Sequence, residues 1–236
     1  AEKETDKAET LNAAAEGAFD QAVDLFKGVA EALEGELDRM TGSELESNRG
    51  ITTEWNSKRA RFFEAVCHYN KGILYEEGGA EREGTLEKSI ELLTDFAWGN
   101  EDNILGAYAF LYMGLAQKAL NKPDEALEFL KVASAGYPIP DPGEVGLFRN
   151  WTDLYLQGYY KLAEYCNELG MVGDKDYRET AIQEFTEMQT NETRQILWDT
   201  CWERKFGHFA LLQLARCYMG LGEFDKAMDL ATRVSV

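Results

Sequence analysis

The stretch "MGLAQKALNKPDEALEFLKVASAGYP", residues 113–138, contains the pattern that decides the fold. Up to Asn121, apolar residues in this stretch recur with a helical period, and the segment Asn121 to Pro123 interrupts that period. Pro123 suits the first turn of a new helix, because its missing N–H group costs no hydrogen bond there. The stretch therefore predicts two short helices folded back on each other, the second with one apolar stripe: Ala126, Leu127, Leu130 and Ala133.

The last segment of the chain has the same design, with a turn at Gly222. Gly114 precedes Ala126 by twelve residues, and Ala215 precedes Ala227 by twelve residues as well. Small residues at equal spacing indicate helices that cross closely, because a larger side chain would push the two backbones apart. The opening stretch is therefore interpreted as one unit of a repeated array.

The spacing L-G-x-x-Y, then G-x-[FY]-x-x-A, then a closing proline resembles the tetratricopeptide repeat. The unit at 107–138 has Gly114, Ala126 and Pro138, with Gln117 where the family prefers an aromatic residue. The unit at 208–236 matches through a longer set: Leu214, Ala215, Tyr218, Gly222, Phe224 and Ala227. The resemblance implies an all-α fold, an α-solenoid of antiparallel helix hairpins wound into a right-handed superhelix. A generic helical bundle without superhelical stacking is the alternative.

Three more divergent units complete a single predicted repeat domain over residues 1–236. The first, 3–34, rests on "EGAFDQAVDLF", where we expect a turn at Gly17 followed by a helix. The second, 55–97, has an inserted loop "EEGGAEREG", and the third, 156–190, has a loop "MVGDKDY". Because the chain begins at Ala1 without methionine and ends within an amphipathic pattern, we also expect it to be a fragment of a longer protein.

The charge of the chain is strongly acidic. Its 43 acidic and 24 basic residues give a net charge of −19 over 236 residues. Residues 1–46 contain 13 of the acids and 4 of the bases. Such a surface repels phosphate backbones, so we expect no nucleic-acid partner. It is typical of a solvated exterior, and it also fits a groove for basic peptides. No apolar run approaches the ~18 residues that span a bilayer, so we expect no membrane insertion.

Residues for catalysis or metal binding do not form a recognisable pattern. The two histidines, His68 and His208, have no nucleophile in a known sequence context. The four cysteines lack zinc-ligand spacing and are expected to be buried free thiols. We therefore expect no enzyme, no metal and no cofactor. Free thiols slightly favour a cytoplasmic location, although the missing methionine also fits an exported mature form.

In the family that the chain resembles, the first helix of each unit lines a concave groove. The matching positions here are mostly aromatic or aliphatic: Tyr69, Asn70, Ile73, Tyr108, Leu111, Tyr112, Leu115, Tyr160, Lys161, Phe209 and Arg216. Some relatives grip a peptide carboxylate with Lys and Asn at these positions. Only Asn70, Lys161 and Arg216 could do so here, so that clamp is absent.

The resemblance implies a non-catalytic scaffold that binds a peptide or protein segment of basic or apolar character in this groove. Tyrosine suits such contacts, because it offers a large surface at low entropic cost. Two other readings stay open. A helix of the protein itself could fill the concave surface, or the groove could carry a small hydrophobic ligand.

Overall fold

A computed structural model of the chain describes residues 2–101 and 103–234, with side chains from residue 10 onward. The first residue and the last two residues of the predicted domain lie outside the described part. The chain divides into two compact units, Ala1–Pro123 (unit 1) and Asp124–Val236 (unit 2). Apart from one small β-hairpin, the described elements are all helices, which confirms the prediction of an all-α fold. That the repeats form one domain stays a prediction.

Unit 1 is a row of antiparallel helices. Helix α1 packs along α3, α3 packs against α4, and α4 packs against α5. Their bounds are α1 Glu2–Leu37, α2 Gly42–Leu45, α3 Asn48–Gly72, α4 Ala80–Trp98 and α5 Ile104–Ala119.

The α3–α4 hairpin is held by a close crossing and a buried hydrogen bond. A Cβ atom added to Gly72 would lie 2.7 Å from Cγ of Leu86, so only glycine allows the helices to approach this closely. The Ser89 hydroxyl donates to the carbonyl oxygen of Ala65 at 2.8 Å. The predicted loop at 76–84 is shorter than expected, because α4 already begins at Ala80.

The turn expected at Gly17 is wrong. Helix α1 runs without interruption from Glu2 to Leu37. The segment lacks proline and is rich in Ala, Glu and Leu, which favour helix. Gly17 has a negative φ and open space around it, so nothing breaks the helix there. The repeat predicted at 3–34 therefore contains no helical hairpin.

Unit 2 contains two further hairpins, α7–α8 and α10–α11, with α10 packed on α7 and α8. The predicted loop at 171–177 contains a two-stranded antiparallel β-hairpin, in which Met171 pairs with Asp176. The bounds are α6 Pro123–Ala135, α7 Val145–Leu169, β1 Met171–Val172, β2 Lys175–Asp176, α8 Tyr177–Thr190, α9 Gln195–Cys201, α10 Lys205–Gly220 and α11 Phe224–Val234.

The turns after α5 and α10 are the same structure. Asn121 has a φ of 56° and Gly222 a φ of 78°, the left-handed region that Gly and Asn tolerate best. The residue after each turn donates its N–H to a carbonyl in the preceding helix, Lys122 to Gln117 at 3.0 Å and Glu223 to Tyr218 at 2.9 Å. The turns predicted at these two places are therefore confirmed.

Helices α3, α5 and α10 also begin in the same way. Their N-cap residues, Ser47, Asn103 and Arg204, each donate the backbone N–H to the carbonyl of the residue three positions earlier. Three residues after each N-cap stands a glycine. A Cβ atom there would lie 2.4, 2.0 and 2.0 Å from that same carbonyl oxygen at Gly50, Gly106 and Gly207, respectively. Because these glycines have no Cβ atom, the start of each helix can pack directly on the preceding turn.

Candidate functional site

Aromatic rings connect the predicted site residues of α3 and α5 in unit 1. The ring centroids of Tyr69 and Tyr112 are 5.5 Å apart in an edge-on arrangement. Buried Phe62 contacts both Tyr112, at 5.8 Å, and Tyr108, at 6.4 Å. Because the helices pack side by side, these rings form one continuous surface. We call this surface the unit 1 face, and it comprises Tyr69, Asn70, Ile73, Tyr108, Tyr112 and Leu115.

The unit 1 face is only partly accessible. Ile73 is 42% exposed, whereas the three tyrosines and Leu115 are half-buried. Burial raises the pKa of Tyr112, as expected for a ring packed among other rings. The Asn70 amide donates to the Val66 carbonyl oxygen at 2.9 Å within its own helix. A partner would therefore contact ring edges and Ile73 rather than fully exposed side chains.

Leu111 does not belong to this face. It is 1% exposed and forms part of the core of unit 1. Along an α-helix each residue turns by about 100°, so Leu111 lies at the edge of the stripe defined by Tyr108, Tyr112 and Leu115. That edge is turned towards the interior, and the prediction that Leu111 contacts a partner is wrong.

In unit 2 the predicted residues come together on α7 and α10. The rings of Tyr160 and Phe209 are 5.5 Å apart, which joins the two helices across their exposed side. Phe209 is 39% exposed and Leu212 is 40% exposed. We call this surface the unit 2 face, and it comprises Tyr160, Lys161, Glu164, Phe209, Leu212 and Arg216.

Glu164 organises the polar part of the unit 2 face. It accepts a hydrogen bond from the Tyr160 hydroxyl at 2.6 Å and another from the Lys161 ammonium at 2.9 Å. The hydrogen bond to Glu164 raises the pKa of Tyr160. Burial alone would lower the pKa of Lys161, but the hydrogen bond and charge of Glu164 outweigh it, so that pKa is raised. Lys161 therefore stays charged and is held in place.

Two cations lie at this face: Lys205, which was not among the predicted site residues, and Arg216, which was. Lys205 lies 5.8 Å from the ring centroid of Phe209, one helical turn before it. Arg216 is exposed and donates to Gln213 Oε1 at 3.4 Å, and within the described residues it forms no ion pair. The spacing 205, 209, 212, 216 in the sequence could have revealed a single stripe along α10.

Comparison with known families identifies the repeats. A family model described as "Tetratricopeptide repeat" matches residues 108–138 and 209–235. These two segments of the chain are therefore similar to tetratricopeptide repeats. The units predicted at 107–138 and 208–236 coincide with these two matches. Comparisons with curated proteins and with solved structures found no significant match.

Both faces draw on the first helix of a matched tetratricopeptide repeat. Tyr108, Tyr112 and Leu115 lie on α5 within the first match, and Phe209 and Arg216 lie on α10 within the second. Tetratricopeptide repeats are generally protein–protein interaction modules, and proteins built from them are typically non-catalytic.

Reactive side chains of the repeats are engaged or buried. Burial raises the pKa of Cys166, Cys201 and Cys217 to about 12, which keeps these thiols protonated. The His208 ring contacts the carbonyl oxygen of Trp202. Within residues 10–101 and 103–234, no cluster of three His, Cys, Asp or Glu side chains could hold a metal ion. Over the same residues, no helix has the length and hydrophobicity needed to cross a membrane.

His68 makes the stability of unit 1 depend on pH. Burial lowers the pKa of its imidazole from 6.5, and the charge of Glu64 opposes this shift without cancelling it. Above about pH 6.5 the imidazole is neutral in both states and has no effect; below it, only the unfolded chain takes up the proton, so stability falls as pH drops towards the folded pKa. Between about pH 7 and about pH 5, we expect the melting temperature of His68→Gln to fall less than that of the wild type. Equal losses in thermal melts would contradict this assignment.

Proposed function

We propose that the protein is a non-catalytic interaction scaffold that binds a peptide or protein segment at the unit 2 face. The observation that carries the proposal is the exposure of Phe209 and Leu212 on the first helix of a matched repeat. Large apolar side chains at this helical spacing can insert between the side chains of a bound segment. Tyr160 supports Phe209 from the neighbouring helix, so the contact surface is fixed before a partner arrives.

The side chains of the unit 2 face favour an apolar segment over a basic one. The exposed charges along α10 are the cations Lys205 and Arg216, and Glu164 is already paired with Lys161. A basic segment would meet like charges there, whereas an acidic residue flanking an apolar one would be attracted. The overall charge of −19 therefore does not describe this surface.

The unit 1 face offers a second contact area of similar chemistry. Ile73 is its most exposed member, and the edges of Tyr69, Tyr108 and Tyr112 surround the surface on α3 and α5. Because the rings of Tyr108 and Tyr112 pack on Phe62, replacing either with alanine would disturb the core as well as binding. Ile73→Ala is therefore the cleaner probe of this face.

A peptide-display experiment tests the proposal at the unit 2 face. Random peptides selected on the wild-type chain are expected to be enriched in apolar residues with acidic neighbours. Phe209→Ala should weaken the selected peptides by about tenfold or more, because it removes a central apolar contact. Binding is measured by fluorescence anisotropy with labelled peptides.

The matched control is Phe224→Ala, since Phe224 is 63% exposed but starts the second helix of the same repeat. It should leave the affinities unchanged, and circular dichroism should show both variants folded. Peptides that bind both variants equally well would refute the assignment of the face. Displacement of the peptides by a fatty acid, with Phe209→Ala abolishing fatty-acid binding, would instead support a carrier of small hydrophobic ligands.

A further inference from the structure

Helix α1 carries two apolar stripes, and α3 covers only one of them. The inner stripe packs on α3, with Phe26 and Phe63 rings 5.5 Å apart; it comprises Phe19, Val23, Phe26, Ala30, Leu33 and Leu37. The outer stripe comprises Leu11, Ala15, Ala18, Ala22, Leu25, Val29 and Ala32. Its three large members are 60%, 63% and 40% exposed at Leu11, Leu25 and Val29, respectively.

The outer stripe borders an apolar groove between α1 and α3. The groove has a volume of about 530 Å³ and is lined on the α1 side by Leu25, Phe26, Val29 and Leu33. Ala60 and Phe63 of α3 form its opposite wall, with Asn56 and Arg59 at the rim. An exposed apolar surface of this kind marks an interaction site on a protein of otherwise charged exterior.

The spacing of the outer stripe is that of a helix-pairing seam. Its residues alternate steps of four and three, which is the heptad pattern by which two helices pack along their length. From residue 11 to residue 32 the stripe is about 32 Å long. The occupant that matches this surface is therefore another helix.

We propose that this helix is α1 of a second copy of the chain, packed antiparallel on the outer stripe. In such a pair Leu25 lies opposite Ala22 of the second copy, and Val29 lies opposite Ala18. Each of these two side chains then meets a small one, which fills the centre of the seam, whereas towards its ends Ala15 lies opposite Ala32 and Leu11 lies opposite Glu36. A two-fold interface requires this kind of self-complementarity.

The charges of α1 permit this pairing. Along the outer edge of the stripe the residues are uncharged: Ala14, Gln21, Gly28 and Gly35. Gly28 has open space around it, which lets a second backbone approach closely. The acids Asp24 and Glu31 lie further round the helix, and Glu36, which continues the stripe after Ala32, faces Leu11 of the second copy, so like charges do not meet at the seam. Their residual repulsion falls with ionic strength, so added salt strengthens the dimer.

Sedimentation equilibrium of the full chain tests the proposal. At about 50 µM the wild type should show a dimer, with more dimer as NaCl rises from about 0.05 M to about 0.5 M. Leu25→Lys should weaken dimerisation at least about tenfold, although it makes the chain less acidic. Leu147→Lys, at an exposed leucine of α7, is the control and should not change the dimer.

An exchange of residues tests the pairing itself. Ala22→Leu and Leu25→Ala should each weaken the dimer, and the double variant should regain most of the wild-type affinity because large again faces small. Leu11→Cys tests the orientation, since antiparallel copies place these residues too far apart for a disulfide, which needs Cα atoms within about 7 Å. A monomer at all concentrations, dissociation by salt, or a Leu11→Cys disulfide would each overturn the proposal.

Discussion

Gly207→Ala is expected to lower the free energy of unfolding of unit 2 by roughly 3 kcal/mol, at the upper end of the usual cost of overpacking. The added Cβ would lie 2.0 Å from the carbonyl oxygen of Cys201 and 2.5 Å from its Cα. Both are backbone atoms, so no side chain can rotate away to make room. The start of α10 would have to move off the preceding turn.

The same substitution at Gly106 is expected to have a similar effect in unit 1, because its Cβ would lie 2.0 Å from the carbonyl oxygen of Asn100. The matched controls are Gly146→Ala in α7 and Gly84→Ala in α4, where nothing lies within 4 Å of the added atom. In a helix, Ala in place of Gly should stabilise these two by up to about 1 kcal/mol. Urea denaturation followed by circular dichroism measures all four. Equal urea midpoints for Gly207→Ala and Gly146→Ala would show that the start of α10 is not packed tightly on the preceding turn.

The strongest repeats could be predicted from the sequence because local signals agreed with tertiary packing there. Asn121 and Gly222 are residues that tolerate a positive φ, and both stand five positions before a small buried alanine. Each signal in these units indicates the same hairpin, which is the condition under which sequence patterns are reliable.

Helix α1 shows where this reasoning failed. The match around Gly17 and Phe19 copied the second half of a repeat, but a family-like spacing does not end a helix. A helix ends where the backbone needs a left-handed residue or loses a donor, and no residue near Gly17 imposes either condition. The doubled apolar pattern, such as Leu25 beside Phe26, was the available signal, because it indicates a helix with two contact surfaces.

The role of the glycines at the starts of α3, α5 and α10 could not be predicted from the sequence. "SNRG" at 47–50, "NILG" at 103–106 and "RKFG" at 204–207 share a glycine three residues after the N-cap. Local propensity disfavours glycine in a helix, so the sequence alone gives no reason for a glycine at these positions. Only the position of the preceding carbonyl, which depends on tertiary structure, reveals why a side chain is excluded.

The candidate faces were predicted in outline and not in detail. The resemblance to the tetratricopeptide repeat implied that Tyr160 and Phe209 line one groove, and the structure brings their rings into contact. Periodicity could not separate Leu111 from Tyr112, because both lie near the same stripe and burial depends on the neighbouring helix. It also could not show that Glu164 neutralises Lys161, since partners depend on side-chain conformation.

Arg61→Met is expected to destabilise unit 1 by about 3 kcal/mol, because it leaves a buried carboxylate without its counter-charge. The guanidinium of Arg61 forms two hydrogen bonds to Glu34 of α1, at 2.8 and 2.6 Å, and one to Glu64 at 3.2 Å. The Glu34 side chain is 43% exposed and can return to water, but the Glu64 side chain is only 8% exposed. The loss therefore arises mainly at Glu64.

A second substitution separates this cause from a general loss of contacts. Arg61→Met combined with Glu64→Gln removes the buried charge and should recover all but about 1 kcal/mol, the scale of one neutral hydrogen bond. Lys58→Met on the same helix breaks a more exposed pair with Glu54 and should cost less than about 1 kcal/mol. Urea denaturation at neutral pH compares the three variants with the wild type. If Glu64→Gln fails to rescue Arg61→Met, the packing of the arginine stem against α1, rather than the buried charge, joins α1 to α3.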